Sequence, residues 1–302
     1  MSPLPEPKGG EHPSTYFVED RSNQVEMNRV KIQDHMITAG MGGVLPEQTD
    51  LARFQRVLDV GCGAGCWLIE LAKTTPTCTL LVGVDTSLTF VKEARAQAVA
   101  EQVADRVEFH VMDALRMLEF TDNFFHLVNH RFAASWARTW DWPKILQEYQ
   151  RVCRPNGVVR ITEGDWTGAR NAPAFARLLE LFVKAFHQSG HLFTPTGNGV
   201  SGELAHLLNQ HGLRQVQTRA CTLKYQPGTP GWQPYFENNQ LTFRTGLPFL
   251  RKWTQVPDDY EAFCQQALQE MQQPDFVATL DIQTAWGNPS PTKDLPLSNP
   301  TR

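Results

Sequence analysis

Between residues 56 and 163, short apolar runs alternate with stretches of helical spacing. Val57, Leu58 and Val60 enter the turn Gly61-Cys-Gly-Ala-Gly65, and residues 66–73 then have helical composition. A run bounded this way reads as a strand buried on both faces, then a glycine turn, then a helix. Further apolar runs at 79–84, 107–112, 124–128 and 158–162 predict four more strands. Helices are predicted between them at 88–101, with Ser87 as N-cap, and at 142–152. Alternation of this kind predicts a parallel, doubly wound α/β sheet.

The flanking patterns extend this frame. Residues 16–39 place Val25, Met27, Val30 and Ile37 on one broad helical face, and Gly40, Gly42, Gly43 and Pro46 then break the period. A helical cap at 16–48 is the expected result. Past the fifth strand, Phe175, Leu178, Leu179, Phe182 and Phe186 make a core stripe on a helix at 172–188. A helix at 203–211 and a strand at 213–225 follow. The segment 226–274 is rich in aromatics (Trp232, Tyr235, Phe236, Phe243, Phe249, Trp253) and includes a helix from Asp258 to residue 272. Ala278, Leu280, Ile282, Thr284 and Trp286 alternate with polar neighbours as a last strand.

The full expectation is a doubly wound, seven-stranded, mostly parallel, Rossmann-like sheet. It carries an N-terminal helical cap and a helical insertion at 226–274, a lid or pocket wall, before the last strand. The sheet domain spans 49–287; tails at 1–15 and 288–302, rich in Pro with Gly or Ser and Thr, read as flexible and disordered.

Composition narrows the classes. The chain has 302 residues, 41% hydrophobic and 20% charged, with a net charge of -4. No basic footprint for nucleic acid is present, no apolar run is long enough for a membrane helix, and residues 1–13 lack a secretory pattern. A cytoplasmic protein with buried free thiols is expected, since Cys62, Cys66, Cys78, Cys153, Cys221 and Cys264 lack metal-site spacing.

The candidate chemistry lies at the strand ends. Glycines let the first turn use left-handed backbone and bring a ligand close to free N–H groups. Asp85 ends the second strand, where an acidic residue accepts from both hydroxyls of a ribose. Asp113 ends the third, suited to an exocyclic amine of a purine, with Met112 and Ala114 flanking the ring. Asn129 and Glu163 end the fourth and fifth. These positions share the carboxyl edge of the sheet, where ligands of such folds bind. A nicotinamide enzyme is the nearest competitor, but its fingerprint wants Gly or Ala where Cys66 stands.

The stretches Val57-Leu-Asp-Val-Gly-Cys-Gly-Ala-Gly65, Gly83-Val-Asp85, Met112-Asp-Ala114, Phe125-His-Leu-Val128 and Arg151-Val-Cys-Arg-Pro-Asn-Gly157 resemble the class I S-adenosylmethionine-dependent methyltransferases of small-molecule type. The resemblance covers residues 50–163. Two departures are His126, where the family often has aspartate, and Asn156 in place of a glycine. The resemblance implies S-adenosylmethionine as cofactor, with Asp59, Gly61, Cys62, Gly63, Gly65 and Asn129 around its methionine part. It implies Asp85 and Thr86 at the ribose, and Met112, Asp113 and Ala114 at the adenine.

A small, largely apolar organic acceptor under the aromatic lid is the expected partner, with no nucleic acid, membrane or metal; the oligomeric state is left open, a homodimer included. Tyr16, His130, His187 and Trp232 are the acceptor-binding candidates. If the acceptor needs a base, His130 is the first candidate, on the expectation that it lies in the loop after the fourth strand. His187, His191, Glu163 and Asp165 are reserves. A protein or RNA methyltransferase, and a cofactor-binding relative with another activity, remain the alternatives.

Overall fold

The computed structural model describes residues 15–20, 23–165 and 169–290. Most of the two expected tails therefore lies outside the described residues. In chain order the elements are α1 (Gln24–Met41), β1 (Arg56–Val60), α2 (Cys66–Thr74), β2 (Leu80–Asp85), α3 (Leu88–Ala100), β3 (Val107–Val111), β4 (Phe125–Arg131), α4 (Trp142–Val152) and β5 (Cys153–Gly164). They continue through β6 (Ala169–Arg170), α5 (Pro173–Gln188), α6 (Leu204–Gln210), β7 (Arg214–Tyr225), α7 (Trp232–Thr245), α8 (Leu247–Trp253), α9 (Tyr260–Met271) and β8 (Val277–Asn288).

The sheet runs β3-β2-β1-β4-β5-β8, with β7 and the two-residue β6 both paired to β8. The β1, β2, β3, β4 and β5 pairings are parallel, and β8 is antiparallel to β5, β6 and β7. Seven long strands in a mostly parallel sheet match the expected fold. Strand order reverses at β1, whose neighbours β2 and β4 lead in opposite directions, so a crevice opens at the carboxyl ends of these strands.

Each face of the sheet is sealed by amphipathic helices. Trp67, Leu68 and Leu71 of α2 and Val91 and Ala94 of α3 cover one face. Trp142, Ile145, Leu146 and Tyr149 of α4 join Phe175 and Phe182 of α5 in the other core. Helix α3 starts where expected, with Ser87 accepting from the Phe90 N–H at 3.4 Å. The two family departures have structural duties. His126 Nδ1 accepts from the Arg56 N–H at 3.1 Å, and Asn156 takes a left-handed turn at φ 65°.

Three boundaries differ from the sequence pattern. Helix α1 begins at Gln24, capped by Asn23, whose side chain accepts from the Val25 N–H. Residues 15–20 form a non-helical strap instead, because their partners are elsewhere: Phe17 N–H donates to Ser135 O at 3.0 Å. The N-cap position of α9 is Asp259, one residue later than expected, without a side-chain capping bond. Strand β4 continues through Arg131, so His130 sits in the sheet, paired between Val60 and Ile161, rather than in a loop.

All six cysteines are free thiols, four buried and two half-buried. Among the described residues no helix is long and apolar enough to cross a membrane.

Candidate functional site

A cavity of about 260 Å³ lies over the carboxyl ends of β1, β2, β4 and β5. Its floor is the turn after β1. Gly61, Gly63 and Gly65 all adopt left-handed backbone, at φ 67°, 52° and 77°. At Gly65 a Cβ would also stand 2.5 Å from the Phe109 ring, so any side chain there displaces the β3 core.

The Asp85 carboxylate closes the turn from below. Its Oδ2 accepts from the Gly63 N–H at 3.0 Å and its Oδ1 from the Ser87 N–H at 2.8 Å. Asp85 itself lines the cavity. Thr86, Met112, Asp113 and Ala114 line the wall beside it. Asp113 is braced by the Leu115 N–H at 2.9 Å and by Arg116 at 3.5 Å. Asp59 reaches the cavity from the end of β1, anchored by Asn129 Nδ2 at 2.7 Å. Asn129 in turn accepts from Arg160, which is doubly bonded to Glu47. Burial pushes the Asp59 carboxyl up to about 7.

The opposite wall is assembled from distant segments. Arg29 of α1 is buried and donates to Glu26, Tyr16, Gln33 and Asn238 of α7. Tyr16 OH donates to Glu26 at 2.7 Å, so strap, α1 and α7 meet in one network. Arg131 pairs with Asp34 and donates to Thr38. At the end of β5, Glu163 and Asp165 lie two residues apart and both line the cavity. Glu163 Oε1 accepts from the Ala134 N–H at 3.2 Å. Burial pushes its carboxyl up to about 8, against the pull of the Ala134 and Ala133 N–H groups. Asp165 is raised as well, chiefly by burial, and accepts from Ser201.

Of the sequence candidates, Tyr16, Asp59, Gly61, Cys62, Gly63, Asp85, Thr86, Met112, Asp113 and Ala114 all reach the cavity. Gly65, Asn129, His130, His187 and Trp232 are not among its wall residues. Gly65 shapes the turn, and Asn129 acts through Asp59. His130 is fully buried, stacked on Trp136 at 5.1 Å, with Nδ1 bonded to Tyr149 OH at 2.6 Å. Burial drives its imidazole down to about 3, so it stays neutral and behind the wall. Trp232 packs on Phe236 and Phe276, on the side of α7 turned into the protein. His191, a reserve base, is consumed by Ser189 and by Thr15 O.

The lid differs in character from the aromatic surface expected. Helix α7 turns Tyr235, Asn238, Asn239 and Thr242 to the cavity, a polar stripe at helical spacing. That spacing was readable in the sequence but was masked by the aromatics among which it lies. Trp136 and Arg131 carried no local signal at all.

Six carboxyl side chains line the cavity against two guanidiniums, a balance that suits a positively charged sulfonium donor. The comparisons with known proteins agree. A family model described as a methyltransferase domain matches residues 57–157. A demethylmenaquinone methyltransferase of Lactiplantibacillus plantarum is 30% identical over 182 residues, covering 56% of this chain and 74% of that one. In fold, the chain is similar to YcgJ of Bacillus subtilis (TM-score 0.51, 19% identity, 78% of this chain and 93% of that one). It is also similar to a phosphoethanolamine N-methyltransferase of Haemonchus contortus in complex with S-adenosylhomocysteine (TM-score 0.54, 18% identity, 91% of this chain and 60% of that one). Taken together with the fold, these findings show that the chain belongs to the class I S-adenosylmethionine-dependent methyltransferases.

Proposed function

We propose that the protein transfers a methyl group to a small organic acceptor held between the carboxyl edge of the sheet and α7. The observation that carries this reading is the wall made by the strap, α1 and α7, joined through Arg29, which roofs the cavity opposite the strand ends. A macromolecular acceptor would need an open approach and, for nucleic acid, a basic surface. The related demethylmenaquinone methyltransferase is named for a small-molecule acceptor, which supports the same class.

In this reading Gly61, Cys62 and Gly63 border the methionine part of the cofactor and Asp59 holds its polar end. Asp85 takes the ribose hydroxyls, Asp113 takes the adenine amine, and Met112 and Ala114 flank the ring. The cofactor, once bound, supplies an electrophilic methyl group. The protein's own share is alignment and exclusion of water, and orientation of this kind is worth roughly 7–11 kcal/mol at most. Phe17, Phe132, Leu179 and Leu280 give the acceptor's apolar body its surface.

The test is incubation with tritiated-methyl S-adenosylmethionine and an extract of the source cells, followed by separation of small molecules from macromolecules. Label in a small molecule other than S-adenosylmethionine, formed only when the protein is present, is expected. Label confined to protein or RNA would replace this reading with the macromolecular one.

A further inference from the structure

The two guanidiniums that line the cavity among the described residues are already committed. Arg29 spends all five N–H donors: Nε and one Nη2–H on Glu26, the other Nη2–H on Tyr16, and the Nη1 pair on Gln33 and Asn238. Its charge is neutralised by a fully buried carboxylate. Arg131 is paired with Asp34, and its guanidinium also sits over the Trp67 ring at 5.7 Å. Arg29 has no donor left for an anion, and the charge of Arg131 is already balanced by Asp34, which weakens its pull on one.

The acceptor side carries negative or neutral groups instead. Glu163 and Asp165 project from one face at the end of β5, two residues apart as strand geometry requires. In the same cavity, α7 presents Asn239 and Thr242, both buried; an Asn239 amide N–H donates to Tyr235 O and the Thr242 hydroxyl to Asn238 O, so their oxygens remain as acceptors. Amides and hydroxyls recognise O–H and N–H groups by hydrogen bonding without adding charge. An anion placed here would be desolvated beside two carboxyl groups and, among the described residues, with no guanidinium that is not already paired with a carboxylate, a costly arrangement.

We propose that the acceptor is uncharged or cationic, presents an O–H or N–H to Glu163, and that phosphorylated or otherwise anionic molecules are excluded from this site. This rests on the small-molecule methyl-transfer reading above. In the step it implies, the acceptor's oxygen or nitrogen gives its electron pair to the methyl carbon. The pair of the breaking carbon–sulfur bond returns to sulfur, leaving a neutral thioether, and the acceptor's proton passes to the Glu163 carboxylate. The short 3-10 turn at Ala133–Ser135 holds that carboxylate through the Ala134 N–H, so the acceptor meets a fixed oxygen.

The small-molecule fraction of the labelling reaction, passed over an anion exchanger at pH 8, decides the matter. Once unreacted S-adenosylmethionine has been separated off, the labelled product is expected in the unretained, neutral or cationic material. Label that is retained and released by salt overturns this inference and leaves the small-molecule reading standing. Label confined to macromolecules, or absent from every fraction, overturns that reading itself. Glu163→Gln should lower incorporation at least a hundredfold, while its dissociation constant for S-adenosylhomocysteine, read by calorimetry, stays within twofold of the parent. Glu163→Asp should recover part of the rate. An undiminished rate in Glu163→Gln with intact S-adenosylhomocysteine binding removes Glu163 from the step.

Discussion

The two halves of the cavity are built in opposite ways. The half we assign to the cofactor is local: Gly61, Gly63, Asp85 and Asp113 each stand at the end of a strand or in the turn that follows it, and Asp85 braces Gly63 directly. The half we assign to the acceptor is composite. Arg29 meets Asn238 of α7, Glu163 of β5 is held by Ala134, and Asp165 is held by Ser201. A half made by strand ends inherits its geometry from the sheet, whereas a half made by distant segments depends on each of them docking.

The comparison breaks most visibly at Arg29. Arg29→Met should cost about 3–5 kcal/mol of stability, because Glu26 is left charged and buried. Adding Glu26→Gln should recover much of it, measured by chemical denaturation. If the single variant is as stable as the parent, the network is not what holds the strap and α7 together.

On the cofactor side, Asp85→Ala should leave the fold intact and weaken S-adenosylmethionine binding by about 1.5–3 kcal/mol, the value of hydrogen bonds to a charged group. Isothermal calorimetry reads this directly. An unchanged dissociation constant removes Asp85 from the ribose.

A pH profile of stability separates the halves further. Burial holds the Glu163 carboxyl up to about 8, above its unfolded range near 4.5. The folded state therefore binds more protons between those values, and this group's contribution is present in acid and fades as pH rises toward 8. Glu163→Gln should flatten that decline in denaturation midpoints taken from pH 5 to 8. His191, held down to about 4, works the other way, its contribution lost as pH falls from 6.5 toward 4. A decline that persists unchanged in Glu163→Gln would assign it to another group.

The smallest effect is expected at His187. It is half-buried on α5 and lies outside the cavity wall, so His187→Ala should change stability by less than about 0.5 kcal/mol and leave methyl transfer unchanged. A large loss of activity would place a second ligand surface on α5.

The legible part of the site follows the same division. Gly61, Asp85 and Asp113 could be read because strand, turn and strand-end acid follow each other in the chain. His130 was misplaced because β4 runs three residues past its apolar run, which carries the imidazole into the sheet and behind Trp136. Trp232 was misassigned because an aromatic on a lid helix is as well suited to the core as to the cavity, and here it packs on Phe276.

The apolar rhythm by itself determined the doubly wound sheet, and the motifs at its strand ends carried the family resemblance that implies a methyl-donor cofactor. Periodicity and turn chemistry act over a few residues, so they are written locally. Only the tertiary structure decided which face of α7 meets the cavity, that the cavity's guanidiniums are paired with carboxylates, and that Glu163 rather than His130 lines the cavity. Those outcomes depend on burial and on partners far apart in the chain, which local pattern does not encode.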